Sequence, residues 1–247
     1  MLAWLRDLLG NSPAVELAKE LGCDMHSHFI PGIDDGAETL EQSLEMIRAM
    51  QALGYRKLIT TPHIMSDFYR NTPEIIRGGL AKLREAIQQE GIPIEVEAAA
   101  EYYCDHAFEK MIGTHEILTF SGKKVLMELS YMNPSDNFDT VTFKLQTEGY
   151  TPVLAHPERY PYWYHNIEQY ANIREKGVLL QVNIGSIAGY YGTGAKRIAE
   201  RLIERNLVDL LGSDAHKMGH IALIEKVSKE RALHQLLDSG RLINQSL

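Results

Sequence analysis

Two short segments near opposite ends of the chain carry residues at metal-ligand spacing. Asp24-Met25-His26-Ser27-His28 sets two imidazoles two positions apart, and Ser213-Asp214-Ala215-His216 sets a carboxylate and an imidazole at the same interval. Residues two apart on a strand share a face, so Asp24, His26 and His28 are expected to point one way, and Asp214 with His216 likewise. Between them come His63 after Thr60-Thr61-Pro62, then Glu101, Glu128 and His156, with Asp34-Asp35-Gly36 in the loop after the first segment. A lone strand histidine is more often a satisfied polar group than a ligand. The combination says more than any member. Imidazole and carboxylate together suit zinc, manganese or iron rather than calcium. His26, His28, His63, Glu101, Glu128, His156, Asp214, His216 and one loop aspartate exceed what one ion needs, so two or three ions and a bridging carboxylate are implied.

These residues need elements to hold them. Apolar or β-branched runs recur at 22–28, 57–62, 92–100, 123–130, 151–156, 177–184 and 208–213. Between most of them lie stretches of helical periodicity: 38–53, 73–90, 136–148, 167–176, 195–205 and 222–238. Thr72 fits an N-cap, with Pro73 in the first helical position. Strand–helix alternation implies a mainly parallel sheet. A single α/β barrel is favoured over a doubly wound sheet, though the pattern does not force the choice. Seven strands would make it depart from the eightfold form. In parallel α/β folds catalytic groups gather at the C-terminal ends of strands, where these candidates fall. The remaining histidines, His106, His115, His165, His220 and His234, read as surface or loop residues.

Composition narrows the function classes. The 247 residues can bury one sizeable core. Lys plus Arg is 25 against 33 Asp plus Glu, a formal charge of −8 with histidine neutral. Such a balance argues against non-specific nucleic-acid binding and against an anionic membrane surface. No apolar run reaches spanning length, and the N-terminus does not read as a signal peptide, so a cytoplasmic location is expected. Leu2, Leu5, Leu8 and Leu9 have helical spacing and suggest an amphipathic extension over residues 1–20, ahead of one domain at 21–247. The two cysteines, Cys23 and Cys104, cannot form a disulfide framework. Nor can either serve a phosphocysteine mechanism, which needs an arginine six positions on; those positions hold Phe29 and Lys110.

The motifs resemble those of the polymerase and histidinol phosphatase superfamily, and most closely its bacterial metal-dependent protein-tyrosine phosphatases of capsule and exopolysaccharide synthesis. Asp24-Met25-His26-Ser27-His28 with Ile30-Pro31-Gly32-Ile33-Asp34-Asp35-Gly36-Ala37, Thr61-Pro62-His63, Ala155-His156-Pro157-Glu158-Arg159-Tyr160 and Gly212-Ser213-Asp214-Ala215-His216 carry the resemblance. It implies a distorted (β/α)7 barrel with a trinuclear site, manganese first and iron or zinc behind it. It implies that His26, His28, Glu101 and Asp214 hold one ion, with Glu101 bridging to a second completed by Glu128 and His156. Asp35, His63 and His216 would hold the third, with Asp34 the rival to Asp35. Asp24 would orient an imidazole from behind the ligands. Arg159 matches a phosphate-binding arginine; its purely structural role would be a salt bridge at the rim. A second arginine, common in the family after the final Asp-x-His, is absent: Lys217-Met218-Gly219-His220 stands there, and Lys217 or His220 is its candidate replacement.

The expected reaction is hydrolysis of protein phosphotyrosine by a metal-activated hydroxide. The expected substrate is the tail of a bacterial tyrosine kinase controlling polysaccharide export. A small-molecule phosphomonoesterase, such as a histidinol-phosphate phosphatase, shares the machinery. A non-catalytic metal-binding module would not need every ligand position filled, as it is here. A single-metal amidohydrolase also begins with His-x-His, but many of those carry a bridging lysine on the fourth strand, where this chain has Glu128. Tyr160, Tyr162, Trp163, Tyr164, Tyr190 and Tyr191 could stack on a substrate ring or merely pack the rim. Asn183 could touch substrate or support a ligand. Four ligand carboxylates add about −4 and three divalent ions about +6, so an acidic chain can still present an anion-binding pocket.

Overall fold

The computed structural model describes residues 14–247. The leucines expected to form the amphipathic extension, Leu2 to Leu9, lie outside them. In chain order the elements are α1 (Leu17–Leu21), β1 (Cys23–Asp24), α2 (Leu40–Leu53), β2 (Lys57–Thr60), β3 (His63–Ile64), α3 (Pro73–Gln89), β4 (Glu95–Ala98) and β5 (Glu101–Tyr103). They continue with α4 (His106–Met111), β6 (Lys124–Glu128), α5 (Phe138–Thr147), β7 (Thr151–Ala155), α6 (Ile167–Glu175) and β8 (Leu179–Asn183). Last come α7 (Ile184–Ile187), α8 (Gly192–Glu204), β9 (Leu210–Gly212), α9 (Met218–Lys226) and α10 (Arg231–Asp238).

Local chemistry explains the helix ends. Thr39 caps α2 by accepting from Gln42 N, and Gly54 ends it in the left-handed conformation at φ 110°. Thr72 caps α3 by accepting from Ile75 N, and Pro73 lies in the first turn, as the sequence predicts. The last helical stretch breaks into α9 and α10 at a 3-10 turn over Val227–Lys229.

Every neighbouring strand pair is parallel. One sheet runs β1-β2-β4 and the other β3-β5-β6-β7-β8-β9. The expected second strand divides at Thr61-Pro62, where proline has no N–H to give the ladder. The third divides at Ala99-Ala100. Backbone bonds cross both breaks: Thr61 N donates to Ser27 O at 2.7 Å, Ala99 N to Thr60 O at 2.9 Å and Glu101 N to Pro62 O at 3.1 Å. The expected first strand shortens to Cys23–Asp24, but Ser27 still bridges Ala215 in parallel. Pairing therefore returns from the segment after β9 to the segment after β1.

Two apolar layers result. A small inner cluster contains Met25, Ile59, Ala99, Leu126, Val153, Ala155 and Leu210, one or two residues from each of several strands. A much larger cluster lies between strands and helices. At the edge of the inner layer Asn244, fully buried, ties the chain end to two strands. Its Oδ1 accepts from Leu211 N at 3.0 Å, and its Nδ2 donates to Leu211 O at 2.8 Å and Cys23 O at 3.2 Å. Asn244→Ala orphans these buried backbone groups, which costs about 1–3 kcal/mol each when unsatisfied. We expect at least that loss in a urea unfolding curve; an unchanged midpoint would show the tether to be dispensable.

Candidate metal centre

Four clusters of ligand-type atoms meet at the C-terminal ends of the strands. They are His28, Asp35, His63 and His216; His26, His28 and Asp214; His26, Glu101 and His156; and His63, Glu101 and Glu128, with all atoms of each cluster within 4.8 Å of one another. All nine residues singled out from the sequence are present. Glu101 is central. Its Oε2 lies 3.1 Å from His26 Nε2, 3.2 Å from His63 Nδ1 and 3.6 Å from His28 Nε2, and its Oε1 lies 3.0 Å from His156 Nε2. Glu128 Oε1 stands 3.6 Å from His156 Nε2.

The two loop aspartates separate by direction. Asp34 turns inward: its Oδ2 lies 2.8 Å from His28 Nδ1 and accepts from His63 N at 3.1 Å, while Oδ1 accepts from Gly36 N at 3.0 Å. Asp35 reaches the cluster, with Oδ1 3.5 Å from His63 Nε2 and 3.4 Å from His216 Nε2. Gly36 makes this turn possible, because a Cβ there would overlap the His28 carbonyl and Cβ.

Strand ends aim the other groups through unusual backbone. His156 follows β7 at φ 33° and Asp214 lies just past β9 at φ 50°, both left-handed. For residues with a Cβ this costs of order 1–3 kcal/mol, a strain that collects at functional sites. Gly212 precedes Asp214 because a Cβ there would come within 2.7 Å of His26 Cβ.

The arrangement corrects one expectation. Asp24 orients no imidazole; its carboxylate accepts from Ser213 N and Ser213 Oγ, both at 2.8 Å. Gln181 does that work, with Oε1 2.8 Å from His26 Nδ1. Its signal was available: a glutamine inside the apolar run Leu179-Leu180-Gln181-Val182 is fully buried. Asn183 supports Asp214, donating from Nδ2 to Oδ2 at 2.7 Å.

A cleft of about 830 Å³ opens above the cluster. Arg159 lines it and donates from Nη1 to Asp214 Oδ2 at 2.9 Å. Tyr190 and Tyr191 line it as well, whereas Tyr160 and Trp163 are buried in packing. Tyr69 and Tyr131 also border the cleft, from loops that gave no periodic signal. His220 departs from its expected surface place. It is buried beside the centre, with Nδ1 3.0 Å from Asp214 O and Nε2 3.3 Å from Tyr190 Oη. His106, His115, His165 and His234 do not line the cleft.

Charge balance favours a cation here. Burial lowers the His26 pKa, but Glu101 and Asp214 outweigh it and hold it at about 9. Burial, and then the negative charge of Glu101, pushes Glu128 up to about 8. Burial and the Arg159 charge push His156 down to about 4. His28 Nε2, buried within the cluster, has no hydrogen-bond partner among the described residues. The thiols take no part: burial raises both Cys23 and Cys104 to about 12.

The chain belongs to the capsular polysaccharide synthesis CpsB/CapC family, whose model matches residues 22–226. It is 33% identical over 196 residues to the tyrosine-protein phosphatase YwqE of Bacillus subtilis, covering 79% of this chain and 77% of that one. It is 28% identical over 202 residues to the tyrosine-protein phosphatase CpsB of Streptococcus agalactiae, covering 79% and 83%. Among solved structures it is similar to the crystallographic work on YwqE of B. subtilis and CpsB of Streptococcus pneumoniae, described as unique metal-dependent tyrosine phosphatases. That match has TM-score 0.77 and 32% identity, covering 87% of this chain and 85% of the other.

A divalent ion must displace the protons on His26 and Glu128, so its affinity should rise with pH up to about 8 to 9 and plateau above. Calorimetric titration of manganese at pH 7 in two buffers of different ionisation enthalpy should register proton release. Equal heats in both buffers would contradict this charge balance.

Proposed function

We propose that this protein is a metal-dependent phosphatase that hydrolyses phosphotyrosine on a protein, namely the tail of a bacterial tyrosine kinase controlling capsule or exopolysaccharide synthesis. The observation that carries the reading is the convergence of nine imidazole and carboxylate side chains, buried Glu101 among them, beneath a cleft bordered by Arg159. The scaffold is a distorted (β/α)7 barrel over residues 21–247; most of the segment before it, residues 1–13, lies outside the described residues. Parallel pairing that returns from Ala215 to Ser27 supports the barrel. Among the described residues no helix is long and apolar enough to cross a membrane, in keeping with a cytoplasmic location.

His26, His28, Glu101 and Asp214 would hold one ion, Glu101, Glu128 and His156 a second, and Asp35, His63 and His216 a third: two or three divalent ions, manganese first, iron or zinc second. Ions held there would make water a nucleophile at neutral pH and neutralise phosphoryl oxygens. Gln181 and Asp34 fix the tautomer and direction of His26 and His28. Arg159 binds a phosphoryl oxygen and places phosphorus over the cluster. Tyrosine leaves with a pKa of about 10, well below an alkyl alcohol, which lessens the need for a proton donor.

Purified protein should contain divalent metal and dephosphorylate a phosphotyrosine peptide until chelated, with activity restored by manganese. His28→Ala should lower metal content and kcat/KM together, by at least the roughly hundredfold seen for losing a strong supporting partner, while the circular dichroism spectrum stays native. Full activity in that variant, or in metal-stripped protein, would refute the reading. Efficient turnover of histidinol phosphate with an inert peptide would reassign the substrate.

A further inference from the structure

Arg159 is held by more than its ion pair. Its guanidinium carbon lies 4.0 Å from the centre of the Tyr191 ring and 4.8 Å from that of Tyr131. Tyr191 also reaches the arginine's partner, its hydroxyl donating to Asp214 Oδ2 at 3.4 Å. The Arg159 side chain is only 21% exposed. The three residues come from separate places: Tyr131 from the loop after β6, Arg159 from the turn after β7, and Tyr191 from the start of α8.

Buried Glu158 joins two of these places. Its Oε1 accepts from Asn183 N at 3.0 Å and from Ser186 Oγ at 2.6 Å, fixing α7, which leads into Tyr191. Only arginine suits the result. Its planar guanidinium stacks on aromatic faces, a contact that strengthens when water is excluded. An unheld arginine at a cleft mouth would sample several rotamers, and electrostatic stabilisation depends on donors fixed in advance.

We propose that Tyr191 and Tyr131 are positioning residues that lock the Arg159 guanidinium for the phosphoryl group. This rests on the proposed function, in which Arg159 binds phosphate. Tyr191 acts through the arginine; Tyr131 does so while its hydroxyl also stands 3.5 Å from His156 Nδ1, so metal content is measured in its variant as well.

The test uses the full metal-loaded chain and a phosphotyrosine peptide. It compares Tyr191→Phe, Tyr191→Leu, Tyr131→Leu and Arg159→Ala with the Tyr191→Leu/Arg159→Ala double variant. Tyr191→Leu should lower kcat/KM roughly tenfold and weaken competitive inhibition by inorganic phosphate in parallel, with metal content unchanged. Tyr131→Leu should act in the same direction. Tyr191→Phe, which keeps the ring, should restore most of the loss. In the Arg159→Ala background Tyr191→Leu should add nothing, because the two act as one unit. An equal loss in both backgrounds, a loss in the phenylalanine variant as large as in the leucine one, or no loss in either leucine variant would overturn the positioning role. Unimpaired Arg159→Ala would instead remove the phosphate-binding role of the arginine, and this inference with it.

Discussion

Glu101 sets the terms for everything around it. A carboxylate buried to zero exposure carries a large desolvation cost unless positive charge surrounds it. Four imidazoles supply partners: His26, His28, His63 and His156 all approach its two oxygens within 3.6 Å. The nearby charges hold its pKa well below the ordinary range despite burial. Asp214 is held low in the same way, by His26 and His28 against its own burial. Neither carboxylate is stable alone, and neither are the histidines. The cluster is one electrostatic unit, and a unit of this composition is complementary to cations.

The backbone is shaped to close that unit. Strands with no sequence proximity must deliver their last residues to one point. The pairing of Ser27 with Ala215 brings the first and last of them together. His28 N donates to Ala215 O at 3.0 Å and Asp214 N to His26 O at 2.8 Å, so the His-x-His and Asp-x-His segments are laced backbone to backbone. Left-handed conformations at His156 and Asp214 turn two further side chains inward. Glycine at 36 and 212 lets neighbouring chain segments approach as closely as this requires.

The sequence made much of this legible, for identifiable reasons. Period-2 spacing singled out His26 with His28 and Asp214 with His216, and position at strand ends added His63, Glu101, Glu128 and His156, whereas Asp35 over Asp34 rested on the family resemblance. Helix caps at Thr72 and the apolar stripes gave most helices to within a few residues. The failures have physical causes too. Strands were expected as continuous runs, but Pro62 and the irregular pairing at Ala99-Ala100 divide two of them. Simple alternation mislaid Asp24, whose nearest donors turned out to be on Ser213, a residue distant in sequence. Which imidazole each supporting group orients depends on long-range contacts, so Gln181 was visible as an oddity in an apolar strand without a role. Tyr131 and Tyr69 come from loops, where no periodicity encodes direction. His220 was read as surface, yet the turn after Asp214 folds it back against its own strand end.

Beside the centre, His220 is packed against Asp214 and Tyr190. In the proposed reading the orientation of a phosphoryl group rests on Arg159. Everything else depends on the central claim that Glu101 organises a multinuclear cation site. Elemental analysis of metal bound per chain, in the purified protein and in Glu101→Ala, addresses it directly. Two or three divalent ions are expected in the native protein, and more than one should be lost when the single carboxylate is removed. A variant that keeps its full complement of metal would contradict that role for Glu101.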